Sequence, residues 1–367
     1  MTTCDAIVVG GGPAGSSCAR TLHLAGWHVV VLDRARFPRD KVCAGWLTPD
    51  VFPLLELTPE DYRATGGTLQ EITGFRTRAI GGPAVETRYA RTISYAIRRC
   101  EFDDVLLRRS GARIVQETPV SSLRRGNGTW IVNDAVQAPV LVGAGGHFCP
   151  VARHLRGGPD VRIPVVAREA EFPIDRSAKD AAMPPEMPEL LFCRDLQGYA
   201  WCVRKEGFVN VGIGRRGNHD FKRHVEHFAR LLDTTMNVRV PEGVQWRGHA
   251  YLASGAGPRP LVGDGVLLAG DAAGLAYPES GEGIKPAIAS GILAARTLID
   301  AGGRYTRDAL SPYGETLERL HPARIESSGF AAAASAVLGR ALLRSPWFTR
   351  HVVLDRWFLR QQESTAS

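Results

Sequence analysis

Three residues have side chains suited to redox or proton chemistry: Cys43 in the stretch KVCAGW, and Tyr199 and Trp201 in GYAWCVRK. A thiol with an ordinary pKa of about 8.5 can relay or donate a proton near neutral pH. Tyr199 and Trp201 are two apart, so on a strand they share one face and can wall a substrate cavity. Plainer readings stand beside these. A free cysteine is usually a small apolar filler, and two aromatics on a strand often form a buried cross-strand pair.

A second set of residues suits phosphate. Gly10, Gly12 and Gly15 follow the G-x-G-x-x-G spacing, with Pro13 and Ala14 between the last two glycines. Gly10 permits the tight turn, Gly12 lets the backbone approach a pyrophosphate, and Gly15 lets helix and strand pack closely. The helix that starts at Pro13 offers free N–H groups and the positive end of its dipole. Asp33, followed by Arg34, lies eighteen residues past Gly15, where an acid accepts from ribose hydroxyls. An acid there disfavours a 2′-phosphate, hence NADP, in this site.

The elements that must position these groups are legible around them. Ala6 to Val9 and Val29 to Leu32 are apolar runs of the buried parallel-strand kind, and residues 14–25 form a helix stopped by Gly26. Val266 to Ala269 is another buried strand, reaching Asp271 and a loop with Gly281, Gly283 and Ile284 before a long Ala- and Gly-rich helix. GYAWCVRKEGFVNVGIG reads as a hairpin turning near Glu206–Gly207.

Composition narrows the class. With 367 residues, 44% apolar and 23% charged, the chain suits interlocked globular domains. No run of about 18 apolar residues predicts a membrane span, and nothing before the first strand reads as a signal peptide. The seven cysteines form no CxxC pair, so reduced thiols, a cytoplasmic location and no metal site are expected. A net charge of +7 is an ordinary surface excess or suits an anionic partner. Nothing calls for nucleic acid.

GVLLAGDAAGLAYPESGEGIKP, the glycine fingerprint and RRCEFDDVLL, with its R-x-x-F-D-x-x-L spacing at Arg99, Phe102, Asp103 and Leu106, together resemble the para-hydroxybenzoate hydroxylase-like flavoprotein superfamily. The resemblance implies FAD. It implies that Asp271 accepts from the ribityl chain and that Arg99 lies near the pyrophosphate. It also implies that Gly281, Gly283 and Ile284 lead a helix N-terminus to the flavin pyrimidine edge. In LVGAGGHFCPVARHL, Gly145 and Pro150 replace the acid and the small hydroxyl residue frequent in that superfamily. This departure puts the usual NAD(P)H docking in doubt, so the expected reductant is NAD(P)H binding transiently or a protein electron donor.

The Cys43-Ala44-Gly45 loop resembles the geranylgeranyl reductase branch of the superfamily, and Tyr199, Trp201, Val211, Gly212 and Gly214 match its hairpin, whereas Cys202, Val203 and Arg204 do not. What this implies is reduction of carbon–carbon double bonds of an isoprenoid or other hydrophobic lipid substrate, with Cys43 and Gly45 against the isoalloxazine. The alternatives are a monooxygenase using a flavin C4a-hydroperoxide, and behind it a halogenase or a non-catalytic flavin-binding protein.

The expected fold is α/β. A Rossmann-type FAD domain (1–75, 96–165 and 250–300) carries an inserted antiparallel β-sheet substrate domain (76–95 and 166–249), followed by a C-terminal helical segment (301–367). RSAKDAAMPPEMPE is expected to be a surface loop. In the C-terminal segment Trp347, Phe348, His351, Leu354 and Phe358 are expected on one helix face. With nearby arginines that face either packs on the sheet or touches a membrane surface peripherally.

Overall fold

The computed structural model describes residues 1–158, 160, 162–175, 183–255, 259–322 and 329–360, those of 329–335 by backbone only. The first part of the expected loop, residues 176–182, lies outside the described residues, as does the end of the C-terminal segment, 361–367.

A six-stranded sheet forms the first layer. Its strands are β1 (Ala6–Val9), β2 (Val29–Leu32), β5 (Arg113–Val115), β6 (Val140–Gly143), β12 (Val262–Gly263) and β13 (Val266–Leu268), in the order β12-β13-β6-β1-β2-β5. All pairs are parallel except β12 with β13. The strands β1, β2 and β6 are buried at every position, as their unbroken Val/Ile/Leu runs require for a sheet covered on both faces. Helix α1 (Pro13–Leu24) packs against α4 (Ile284–Asp300), with Gly291 at the crossing. A Cβ there would stand 2.1 Å from the Ala14 carbonyl oxygen.

The second layer is a seven-stranded sheet. It contains β3 (Gly74–Ala79), β4 (Val85–Arg88), β7 (Val165–Pro173), β8 (Glu189–Phe192), β9 (Gly198–Lys205), β10 (Phe208–Arg216) and β11 (Arg247–Tyr251), in the order β11-β7-β10-β9-β8-β3-β4. The sheet departs from the antiparallel expectation at one pair, because β8 runs parallel to β3. These two strands come from separate insertions, and the chain returns through the first domain between them, so no hairpin dictates their direction. The hairpin β9–β10 turns at Glu206–Gly207, as expected, with Lys205 facing Phe208 and Glu206 at φ 51°.

The C-terminal segment corrects the expected face. Thr349–Phe358 is a π-helix, continued by a hydrogen bond from Leu359 N to the Leu354 carbonyl, an i→i+5 step. Its wider turn brings Thr349, Val353, Leu354 and Phe358 inward, while Trp347, 66% exposed, pairs at the surface with His351. A 3.6-residue period assigns Trp347 and His351 to the buried face; a turn of about 4.4 residues does not. Arg350 lies over Tyr89 and Arg360 over Tyr277, so two of the arginines lie against the protein's own rings. Among the described residues no helix is long and apolar enough to cross a membrane.

Candidate active site

The two layers enclose one cavity of about 1160 Å³. Gly10, Gly12, Pro13, Ala14, Asp33, Arg34, Cys43, Ala44, Arg99, Tyr199, Trp201, Asp271, Gly281, Gly283 and Ile284 all line it. Residues from five separated parts of the sequence therefore meet around one space. Among the expected site residues, Gly15 and Gly45 are not on the wall. A Cβ on Gly15 would stand 1.8 Å from the Gly10 carbonyl oxygen, so that glycine serves helix–strand packing. Gly45, at φ 69°, would place a Cβ 2.0 Å from the Ile97 carbonyl oxygen and 2.8 Å from Lys205 Nζ. Its need for glycine comes from the protein behind the loop, not from a cofactor in front of it.

One end of the cavity is built for negative charge. Helix α1 begins at Gly12 and α4 at Gly283, and neither N-terminus has a side-chain cap or an acid in its first turn. The N–H groups of α1 and the Gly283 and Ile284 N–H groups of α4 are thus left for the cavity, whereas Lys285 N is taken by Glu282. Arg34, Arg39, Lys41 and Arg99 add cationic side chains to the same wall. In α2 (Arg99–Arg108), Arg99 is fixed by two 2.9 Å bonds to Asp103, which Arg39 also reaches at 3.2 Å. Asp33 accepts from Gly11 N at 2.7 Å and Ala35 N at 2.8 Å. It pins the glycine turn and keeps lone pairs for a ribose.

Asp271 is paired with Lys41 at 3.7 Å and with His249 at 3.6 Å. Burial raises its carboxyl, but the His249 hydrogen bond and the Lys41 charge outweigh burial and hold it well below the usual carboxylate range. Burial lowers both Lys41 and His249. Asp271 is therefore held ionised, and it accepts hydrogen bonds. Glu282, in the loop before α4, is pushed up by burial to about 7, against the Lys285 N–H it accepts at 2.7 Å.

The Cys43 loop rests on a buried polar network absent from the sequence reading. Glu169 accepts from Cys43 N at 2.6 Å, and Asn210 donates to the Cys43 carbonyl at 3.4 Å and to Glu169 at 3.2 Å. Trp201 Nε1 donates to Asn210 at 2.7 Å, so the indole and the cysteine loop are held by the same amide. Beside it, Glu171 takes Lys205 at 2.8 Å and Arg98 at 2.9 Å. The two carboxyls diverge. Burial pushes Glu169 up to about 7, whereas Glu171, also buried, is drawn down to about 2 by Lys205 and Arg98. Glu169 and Glu171 both project from β7 and are two apart, a strand-face signal the sequence carried. Asn210 is the partner that only the pairing of β7 with β10 could reveal.

The other end is apolar. Trp201 lies over Gly212, where a Cβ would sit 2.2 Å from the indole. The V-G-x-G pattern thus makes room for a ring. Tyr199 donates its hydroxyl to the Ser280 carbonyl and packs against Trp201 and Phe358, with ring centroids 6.0 and 5.4 Å away. Burial raises the Tyr199 phenol well above its usual range. Leu343, Phe348, Trp357 and Phe358, from the C-terminal segment, complete this wall with Trp46 and Phe192. The helical periodicity of that segment pointed to Phe348 and Phe358 but not to Leu343 and Trp357.

An FAD molecule fits these surroundings. The bare helix ends and basic side chains suit its pyrophosphate, Asp33 and Asp271 suit hydroxyl donors, and the cavity is long enough to join them to an apolar chamber. Residues 3–65 match the FAD binding domain family. A digeranylgeranylglycerophospholipid reductase of Methanothrix thermoacetophila is 28% identical over 293 residues, covering 74% of this chain and 71% of that protein. A geranylgeranyl bacteriochlorophyll reductase-like structure from Thermoplasma acidophilum superposes with a TM-score of 0.72 at 20% identity, covering 94% of this chain and 88% of that one. PqsL of P. aeruginosa, in complex with 2-aminobenzoylacetate, superposes with a TM-score of 0.68 at 18% identity, covering 94% and 98%. The chain is therefore an FAD-dependent oxidoreductase similar to the geranylgeranyl reductases.

Proposed function

We propose that this protein reduces carbon–carbon double bonds of an isoprenoid or similarly hydrophobic substrate. The observation that carries the reading is the apolar chamber formed by Trp46, Phe192, Trp201, Leu343, Phe348, Trp357 and Phe358, in one cavity with Cys43 and the N-terminus of α4. The relatives named for digeranylgeranylglycerophospholipid and geranylgeranyl substrates support it.

When bound, FAD supplies the two electrons that saturating a double bond needs. The protein supplies the rest. The aromatic wall holds an apolar chain and excludes water. The Gly283 N–H and the dipole of α4 stabilise negative charge where that helix begins. A proton is also required. The Tyr199 hydroxyl is committed to Ser280 and its ionisation is suppressed, so it positions the wall. Cys43 Sγ, which accepts from Gly45 N at 3.3 Å and lies on the cavity surface, is the thiol placed to donate it. Reductant reaches the site as transient NAD(P)H or through an electron-donor protein. Trp347 and Leu338, both exposed, mark the side from which a membrane-borne substrate enters.

The test is anaerobic mixing of the photoreduced protein with a geranylgeranyl substrate. Return of oxidised-flavin absorbance together with product heavier by about two mass units per bond supports reduction. Product formed only with oxygen, heavier by about sixteen, moves the assignment to hydroxylation. Cys43→Ala is expected to keep its flavin, because the loop is held by backbone bonds to Glu169 and Asn210, and to lose about ten- to a hundredfold in turnover. Flavin content and rate measured on the same preparation check both halves.

A further inference from the structure

We propose that Arg156, Arg162 and Arg259 form a second site, which binds a phosphate group. The three come from distant parts of the chain. Arg156 ends α3 (Pro150–Arg156), Arg162 follows in the next loop, and Arg259 reaches across the turn after Asp271. There a Cβ on Gly274 would stand 2.4 Å from Arg259 Nη1. Asp160 joins the first two. Its Oδ2 is 3.5 Å from Arg156 Nη1, and it binds Arg162 through both oxygens, with Arg162 Nε at 2.8 Å.

Two guanidinium groups thus share one carboxylate, and Arg259 stands within electrostatic reach of Asp160 and Arg162. Arg259 also feels Glu318, but among the described residues it forms no ion pair. The deficit shows in the hydrogen bonding. Arg156 Nε, Arg162 Nη1, Arg259 Nη1 and the neighbouring His147 Nδ1 are all buried without a partner among the described residues. Burial and the Arg162 charge lower Arg259 to about 10, in keeping with a cation short of a counter-ion. Buried guanidinium N–H groups without an acceptor are costly to keep, and several in one cluster call for an anion. Planar guanidinium forks match phosphate oxygens two at a time, and a phosphate offsets the positive charge that Asp160 and Glu318 leave in excess.

None of the three arginines lines the main cavity, but His147, Arg153, Ile163, Ser254 and Gly255 do. The cluster therefore stands behind one flank of that cavity. A phosphorylated substrate, a nicotinamide dinucleotide or free phosphate each carries the required group. The inference does not depend on which reaction the flavin performs.

The test is thermal unfolding of the FAD-loaded protein, titrated with inorganic phosphate at constant ionic strength, for wild type, Arg259→Met and Arg156→Met. Phosphate is expected to stabilise the wild type saturably, and each variant to bind it at least about tenfold more weakly. Without phosphate Arg259→Met should be as stable as wild type or more so, because it loses a cation with no ion pair among the described residues, whereas Arg156→Met also loses its contact with Asp160. A wild type that does not respond, variants that respond like it, or an Arg259→Met variant destabilised in phosphate-free buffer would overturn the proposal. The source then follows from KM ratios in wild type and Arg259→Met. Collapse of NADPH-over-NADH preference assigns the dinucleotide. Collapse of preference for a phosphorylated over a dephosphorylated isoprenoid assigns the substrate. No change in either ratio assigns the free ion.

Discussion

Gly15→Ala is expected to yield a protein that retains almost no flavin. The added methyl would lie 1.8 Å from the Gly10 carbonyl oxygen and 3.1 Å from Val8. The first of these is backbone, so no rotamer change relieves the clash. Either α1 moves away from β1 or the glycine turn opens, and both displace the N–H groups that face the cavity. Overpacking costs about 1–3 kcal/mol. Spent on the geometry of the site, that is a loss of up to about a hundredfold in FAD affinity. The ratio of 450 nm flavin absorbance to protein in the purified variant reads the result. Gly45→Ala, which clashes with Ile97 on the far side of the cysteine loop, serves as the comparison. It should disturb Cys43 more than flavin content. Equal flavin loss in both variants would mean that global instability, not the phosphate turn, is being measured.

Glu169→Gln is expected to stabilise the protein above neutral pH and leave it unchanged in acid. The Glu169 carboxyl titrates at about 7 in the folded chain against an ordinary value of 4.5, because burial outweighs the Lys205 charge, the Cys43 N–H and the Asn210 amide. Glu171 opposes those helpers with a like charge. A carboxyl raised on folding favours the folded state when protonated. Its contribution is therefore complete below about 4.5 and is lost as pH rises to about 7, after which the buried charge costs about 3 kcal/mol. Glutamine removes that cost while its amide oxygen can still accept from Cys43 N. Urea unfolding at pH 4 and pH 8 should show no difference at the first and up to about 3 kcal/mol at the second. Glu282 titrates in the same window, so part of the pH slope remains in the variant. An unchanged slope would show that Glu169 is ionised throughout, held by Lys205. Loss of stability at both pH values would show that the carboxylate itself organises the loop.

How much of this was legible before the fold is best seen at particular residues. The dinucleotide half was local. Gly10, Gly12 and Gly15 act through the backbone of one turn, and Asp33 ends the adjacent strand, so spacing along roughly thirty residues is enough to place them. Arg99 with Asp103 is likewise one helical turn. The FAD domain and the hairpin at Glu206 followed from the same short-range rules. Gly45 shows where such reading fails. Its position in a C-A-G loop suggested a cofactor in front, but the contact that demands glycine is Ile97, fifty-two residues away in sequence.

The chamber was a product of tertiary structure. Phe348 and Phe358 share the face that the helical period gave, but Trp357 joins them through a π-helical turn that the period did not foresee. Glu169, Asn210 and Trp201 meet because three strands pair in one register. The Lys41–His249–Asp271 group joins three stretches that no spacing connects. The sequence by itself determined which cofactor chemistry the chain can cradle, because a phosphate turn is made of neighbours in the chain. Only the tertiary structure decided what stands over that cofactor, because side chains hundreds of residues apart become neighbours through packing alone, and packing also sets which of two adjacent carboxyls keeps its proton.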